Sequence, residues 1–184
     1  HVRMSKGIVR ADLTWQAMDC GIIVNYQDPE NFGVALLDYD GANVTGRYVE
    51  YVDGQKRVQR TATSLAFSLT AGQTYAIKVV VRQQYPSRAV KLYVDRNQDN
   101  DFGDLGELVM TSFMVLGVWE GGHVGLYRET SSATTTLQWD NFICGYDSDD
   151  DEIIGTVTTP DTGDYIYAKY DFDDPNDGTW QDVT

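Results

Sequence analysis

Ala89-Val90-Lys91-Leu92-Tyr93-Val94-Asp95-Arg96-Asn97-Gln98-Asp99-Asn100-Asp101-Phe102-Gly103-Asp104-Leu105-Gly106-Glu107-Leu108-Val109-Met110-Thr111 is the stretch on which the reading of the fold turns. Its two ends are rich in β-branched and aromatic residues and read as strands. Between them, oxygen-bearing side chains recur at every second position, so one tight loop presents several hard ligands. Calcium takes about six to eight oxygens at roughly 2.3 to 2.6 Å. Asp95, Asn97, Asp99 and Asp101 follow the spacing of a helix-flanked EF-hand loop. Asn100, however, stands where that loop has its turn glycine, and Glu107 falls one position late for the bidentate acid. With strands on either side, the segment predicts a β-hairpin that holds calcium through Asp95, Asn97, Asp99, Asp101, Asp104 and Glu107. The alternative is a solvated acidic turn without metal.

Working outward, helical periodicity is scarce, whereas short alternating or β-branched segments bounded by turn residues recur throughout. Strands are expected at Gly7 to Trp15, Cys20 to Gln27, Phe32 to Asp38, Tyr48 to Val52 and Lys56 to Ala62. They continue at Tyr75 to Arg82, Val90 to Asp95, Glu107 to Met110, Val124 to Tyr127 and Thr134 to Cys144. Asp-Gly and Gly-Gly pairs punctuate them. The expected fold is all-β, an antiparallel sandwich.

A chain of 184 residues can bury one good core, so one domain plus a tail is expected. Its 28 acidic against 14 basic residues give a formal net charge of -14, which repels nucleic acid and anionic membranes and favours divalent cations. No apolar run approaches the roughly 20 residues that span a bilayer, nor is a signal peptide read here. Cys20 and Cys144 fall in predicted strands near the two ends of the domain, where they form either a disulfide or two buried thiols. A bridge closing so long a loop stabilises by about 4 to 5 kcal/mol in the chain-entropy model. Asn43-Val44-Thr45 is a glycosylation acceptor pattern.

Several segments resemble, in order, the laminin-G-like and concanavalin A-like jelly rolls. Gly21 to Phe32 is similar to that group's apolar strand and Tyr-x-Asp-x-x-Asn-aromatic hairpin, and Leu69 to Val79 to its Gly-x-x-Tyr-x-apolar-Lys-apolar strand. Gly121-Gly122-His123-Val124-Gly125-Leu126-Tyr127 and Trp139-Asp140-Asn141-Phe142 resemble its closing strands. The resemblance covers residues 7 to 146 and implies a jelly roll, not an activity, because that superfold hosts unrelated functions. The acidic loop resembles Asp-x-Asn-x-Asp-Gly-Asp-Phe loops of bacterial surface modules, which implies a structural calcium and an extracellular or cell-surface setting.

After Tyr146 the run Asp147-Ser148-Asp149-Asp150-Asp151-Glu152 marks a boundary. The reading divides the chain into a sandwich at 1–146, an acidic linker with a short β segment at 147–164, and a terminal β segment at 165–184. Tyr170-Asp171-Phe172-Asp173-Asp174-Pro175-Asn176-Asp177-Gly178-Thr179-Trp180 resembles the opening strand of laminin-G-like domains, displaced here to the end. With Tyr165, Tyr167, Tyr170, Phe172 and Trp180 as its apolar positions, it folds back on its own domain, begins a next repeat, or enters a neighbouring subunit by strand addition.

Catalysis finds little support: His1 and His123 are the only histidines, and no nucleophile triad has recognisable spacing. Twelve tyrosines and four tryptophans suit a carbohydrate-binding surface. Trp15, Trp139 and Tyr75 are expected in the core, which leaves Trp119 and Tyr85 as glycan contacts. Asp28, Glu30 and Asn31 form a second ion site or a plain polar turn, and Asp140 and Asn141 serve the closing strand structurally. The leading expectation is a non-enzymatic structural or adhesive module that assembles with copies of itself. The alternative is a lectin-like module.

Overall fold

A computed structural model describes residues 3–4, 7–58, 61–84, 87–114, 122–128, 137–145 and 168–170. Among them there is no helix, and so none long and apolar enough to cross a membrane. The strands are β1 (Arg3–Met4), β2 (Gly7–Thr14), β3 (Cys20–Asp28), β4 (Asn31–Tyr39), β5 (Val44–Val52), β6 (Gln55–Val58) and β7 (Thr61–Ser64). β8 (Ala66–Phe67), β9 (Thr74–Gln84), β10 (Ser87–Val94), β11 (Leu108–Met114), β12 (Gly122–Arg128), β13 (Gln138–Gly145) and β14 (Ala168–Tyr170) follow.

Two seven-stranded antiparallel sheets result. The first runs β1-β12-β3-β4-β5-β6, with β8 also on β5; the second runs β14-β13-β2-β9-β10-β11-β7. Strand β2 shows the cause in its sequence: Val9, Ala11 and Leu13 are fully buried, while Ile8, Arg10, Asp12 and Thr14 alternate with them at intermediate exposure. Such period-two alternation buries one face of a strand and solvates the other. Ile22, Val24, Leu37, Ile77, Val79, Val90, Leu92 and Val109 complete the shared core between the sheets. Gly46 marks a close approach of the sheets, because a Cβ there would lie 2.7 Å from the Met110 Cβ.

Local turn chemistry sets the registers. Asp53-Gly54 adopts positive φ at both residues (50° and 70°) and joins Val52 to Gln55, as an Asp-Gly hairpin requires. Asp40 holds the β4–β5 connection by accepting from the Ala42 and Asn43 main-chain N–H groups, which pull its carboxyl below the ordinary range. The predicted strand from Lys56 to Ala62 is instead two short strands in different sheets, β6 and β7.

Two expectations meet the structure directly here. Cys20 and Cys144 are both buried and unbridged, on opposite sheets, so the disulfide is not formed and the thiols serve as small core residues. At the other end of the chain, Ala168, Lys169 and Tyr170 pair antiparallel with Cys144, Ile143 and Phe142 of the same chain's β13. Tyr165, Tyr167, Phe172 and Trp180 lie outside the described residues.

Candidate binding cleft and acidic loop

The second sheet's outer face carries a cross-strand row in which Arg10 of β2 pairs with Lys78 of β9, and Lys78 with Tyr93 of β10. The acidic loop folds back over this row. Its Phe102 ring lies 5.4 Å from the Arg10 guanidinium and 4.5 Å from the Lys78 ammonium, which in turn sits 4.4 Å from the Tyr93 ring. Arg10 also donates to the Asn100 side-chain oxygen. Held between two aromatic faces, Lys78 is only 6% exposed, an arrangement stabilised by attraction between a cation and ring quadrupoles.

Both ends of the loop are pinned to strands: Asp95 N–H donates to Ala76 C=O at 2.9 Å, and Val94 N–H to Glu107 C=O at 2.9 Å. Inside the loop, Asn97, Asp99 and Asp101 each accept from the main-chain N–H two residues on, at 3.2, 3.1 and 2.8 Å. Asp95 accepts from Gln98 and Asn100 at 2.7 and 2.8 Å. Gln98 and Asn100 adopt left-handed φ of 63° and 75°, so Asn100 fills the glycine's role in its own way, since asparagine tolerates that region. The extra residue before Glu107 is absorbed by the 104–107 turn, with Gly106 at φ 93°, and the glutamate returns to the cluster. One ligand oxygen each from Asp95, Asp99 and Glu107 lie within 4.8 Å of one another. Burial, with Asp95, Asp104 and Asp101 close by, raises the Glu107 carboxyl above its ordinary range, against one lowering contact from the Asp104 N–H. Asn97 Nδ2 bridges Asp99 and Asp104 at 2.8 and 2.6 Å, which leaves Asp104 in the loop's internal hydrogen bonding.

At the edge of the sandwich, where β13 runs beyond its pairing with β14, a cleft of about 510 Å³ opens between the second sheet and Leu126 of β12 in the first. Leu126, Leu137 and Trp139 form its apolar side and pack against the core; Asp12, Thr14, Thr74, Gln138 and Asp140 form its polar side. Asp12 and Asp140 face each other across β2 and β13, and Thr14 and Thr74 share a hydroxyl hydrogen bond of 2.8 Å. Asn141, at φ 49° beside a register shift, donates its amide to Asp12 at 2.8 Å and its main-chain N–H to Asp140 at 2.7 Å. The turn and cross-strand hydrogen bonds expected of Asp140 and Asn141 are therefore present, yet both aspartates also face the cleft.

Trp15 and Tyr75 lie in the core as expected, at 2% and 5% exposed; Trp139 packs against that core too, but at intermediate exposure, and its lining of a cleft is what sequence reasoning did not foresee. The expected glycan contacts Trp119 and Tyr85 lie outside the described residues. Asn43 is exposed in its turn, where a glycosyl group meets no obstacle from burial. Asp28 accepts from the Glu30 N–H and the Asn31 amide, the geometry of a polar turn. His123 stands in β12 opposite Arg3 and Tyr26, and His1 lies outside the described residues.

No family model matches the chain. No curated protein matches it either. Among solved structures, it is similar to the carbohydrate-binding module CBM66 from Bacillus subtilis, at 14% identity and a TM-score of 0.48, over 77% of this chain and 71% of that one. It is also similar to the enzymatically active domain of bacteriophage CBA120 tailspike protein 2, at 11% identity and a TM-score of 0.38, over 78% of this chain and 23% of that one.

Proposed function

We propose that this chain is a non-catalytic, extracellular β-sandwich module that binds glycans in the cleft at Trp139. One observation carries the reading: a half-buried indole and two cross-strand carboxylates share one cleft. A sugar ring presents an apolar C–H face to an aromatic surface and hydroxyls around its rim, and carboxylates accept such hydroxyls two at a time. The volume of about 510 Å³ falls in the range of small-ligand sites, about 300 to 1,000 Å³.

The lining also narrows the class of sugar. Among the described residues it contains no basic side chain. Uronic and sulfated glycans would meet Asp12 and Asp140 without compensation, so the ligand is uncharged or carries an amine. Strand donation to further copies is the rival reading. In this chain Ala168–Tyr170 pairs with its own β13, the edge that such donation would use.

The test is affinity electrophoresis through gels containing neutral, amino or acidic polysaccharides. Retardation by a neutral or amino polysaccharide, without its degradation, is expected. Retardation by acidic polysaccharides alone, or by none of the panel, would overturn the assignment.

A further inference from the structure

We infer that the 95–107 loop is a calcium site whose central ligands are Asp95, Asp99 and Glu107. Glu107 is 2% exposed; one of its oxygens accepts the Asp104 N–H at 3.1 Å, while Oε1 is buried and meets no hydrogen-bond donor. A buried carboxylate oxygen needs a donor or a counter-charge. Arg96, the basic residue within the loop, instead turns toward the Phe67 ring at 5.3 Å.

Donor chemistry then narrows the ion. Carboxylate oxygens within 4.8 Å of one another can all reach one cation with bond lengths of about 2.3 to 2.6 Å, and an all-oxygen set suits a hard ion. Magnesium, at about 2.0 to 2.1 Å, requires a tighter and more regular octahedron. Zinc favours the nitrogen and sulfur donors that this cluster lacks. The main-chain hydrogen bonds to Asp95, Asn97, Asp99 and Asp101 fix the loop before the ion arrives and leave lone pairs for it. Asp95, 3% exposed, joins Glu107 on the buried side, and exposed Asp99 closes the cluster toward solvent. Of the six residues expected from sequence, Asp95, Asp99 and Glu107 bring their carboxylate oxygens together, and Asn97, Asp101 and Asp104 stand in the same hydrogen-bonded loop to complete the oxygen set.

The experiment is a calorimetric and thermal-melting titration of the full chain with calcium, and separately magnesium, after chelation. It needs no glycan, so its result is independent of the cleft. One saturable site, a melting temperature that climbs with free calcium and at least tenfold weaker magnesium binding are expected. Glu107→Gln should weaken calcium at least tenfold, as should the exposed Asp99→Asn, which keeps the test valid if the buried variant fails to fold. Asp28→Asn, in the β3–β4 turn, should bind as the parent does. Absence of any shift up to about 10 mM calcium, beyond the roughly 10⁻⁴ to 10⁻³ M of weak extracellular sites, would overturn the inference. So would undiminished binding by folded Glu107→Gln and Asp99→Asn.

Discussion

The outer faces of the two sheets use the same residue types to opposite ends. On the first sheet, Phe32 and Tyr51 stack at 4.3 Å, and Tyr51 shares a 2.9 Å hydroxyl hydrogen bond with Tyr127. With Ile23 these rings cover Val34, Leu36 and Val49, each no more than 2% exposed although they point away from the shared core. The rings of that face partner one another, at the same intermediate exposure as Trp139. On the second sheet the outer aromatic rings hold cations and the loop carries a cluster of acids, while Trp139, paired with buried Leu13 and packed against the core, borders the edge cleft that Asp12 and Asp140 also line. An aromatic residue therefore marks a binding surface only where its neighbours leave it a partner still to find.

The largest expected effect separates the faces by calcium. Ligand binding to the folded state alone stabilises by about 2.7 kcal/mol at a hundredfold excess over Kd. For a domain of this size that is roughly 5 to 10 °C in melting temperature. A chelator should remove this increment, whereas variants of the first sheet's aromatic cover should leave the increment intact. Next, Phe102→Ala uncovers Lys78 and Arg10 and should cost about 1 to 2 kcal/mol, read by denaturant unfolding, from lost cation–ring attraction. Trp139→Ala should weaken glycan binding at least tenfold, about 1.4 kcal/mol, in a titration with the polysaccharide that retards the parent. The smallest effect belongs to the first sheet: Tyr51→Phe removes one side of a hydroxyl pair, should cost about 0.5 to 1.5 kcal/mol in stability, and should leave glycan affinity unchanged.

Thiol chemistry gives a separate check on the core between these faces. Burial, helped by Asp19, pushes the Cys20 thiol up to about 12. Near pH 8 it is essentially all thiol, the unreactive form. Cys20 and Cys144 should therefore resist alkylation in the folded chain, and both should react once denaturant opens the core. Rapid modification without denaturant would contradict the packing.

What the sequence made legible follows from how local each signal is. Period-two burial in β2, the Asp53-Gly54 hairpin and the alternating oxygens from Asp95 onward are all written within a few residues. The cleft is not, because Asp12 and Asp140 meet only through the β2–β13 pairing, which no local period announces. Trp139 obeys strand alternation and packs against the core as read; its partial exposure comes from its place where β13 runs past β14, a property of strand order. Lys78 inverts that lesson: a lysine on an outward register is buried because a distant loop folds over it.

The most direct measurement is isothermal titration of one retarding neutral or amino polysaccharide against the parent chain, Trp139→Ala and Tyr51→Ala, all in saturating calcium. Binding by the parent and Tyr51→Ala with loss in Trp139→Ala is the predicted result. Loss in Tyr51→Ala with binding retained in Trp139→Ala would move the site to the first sheet and contradict the account.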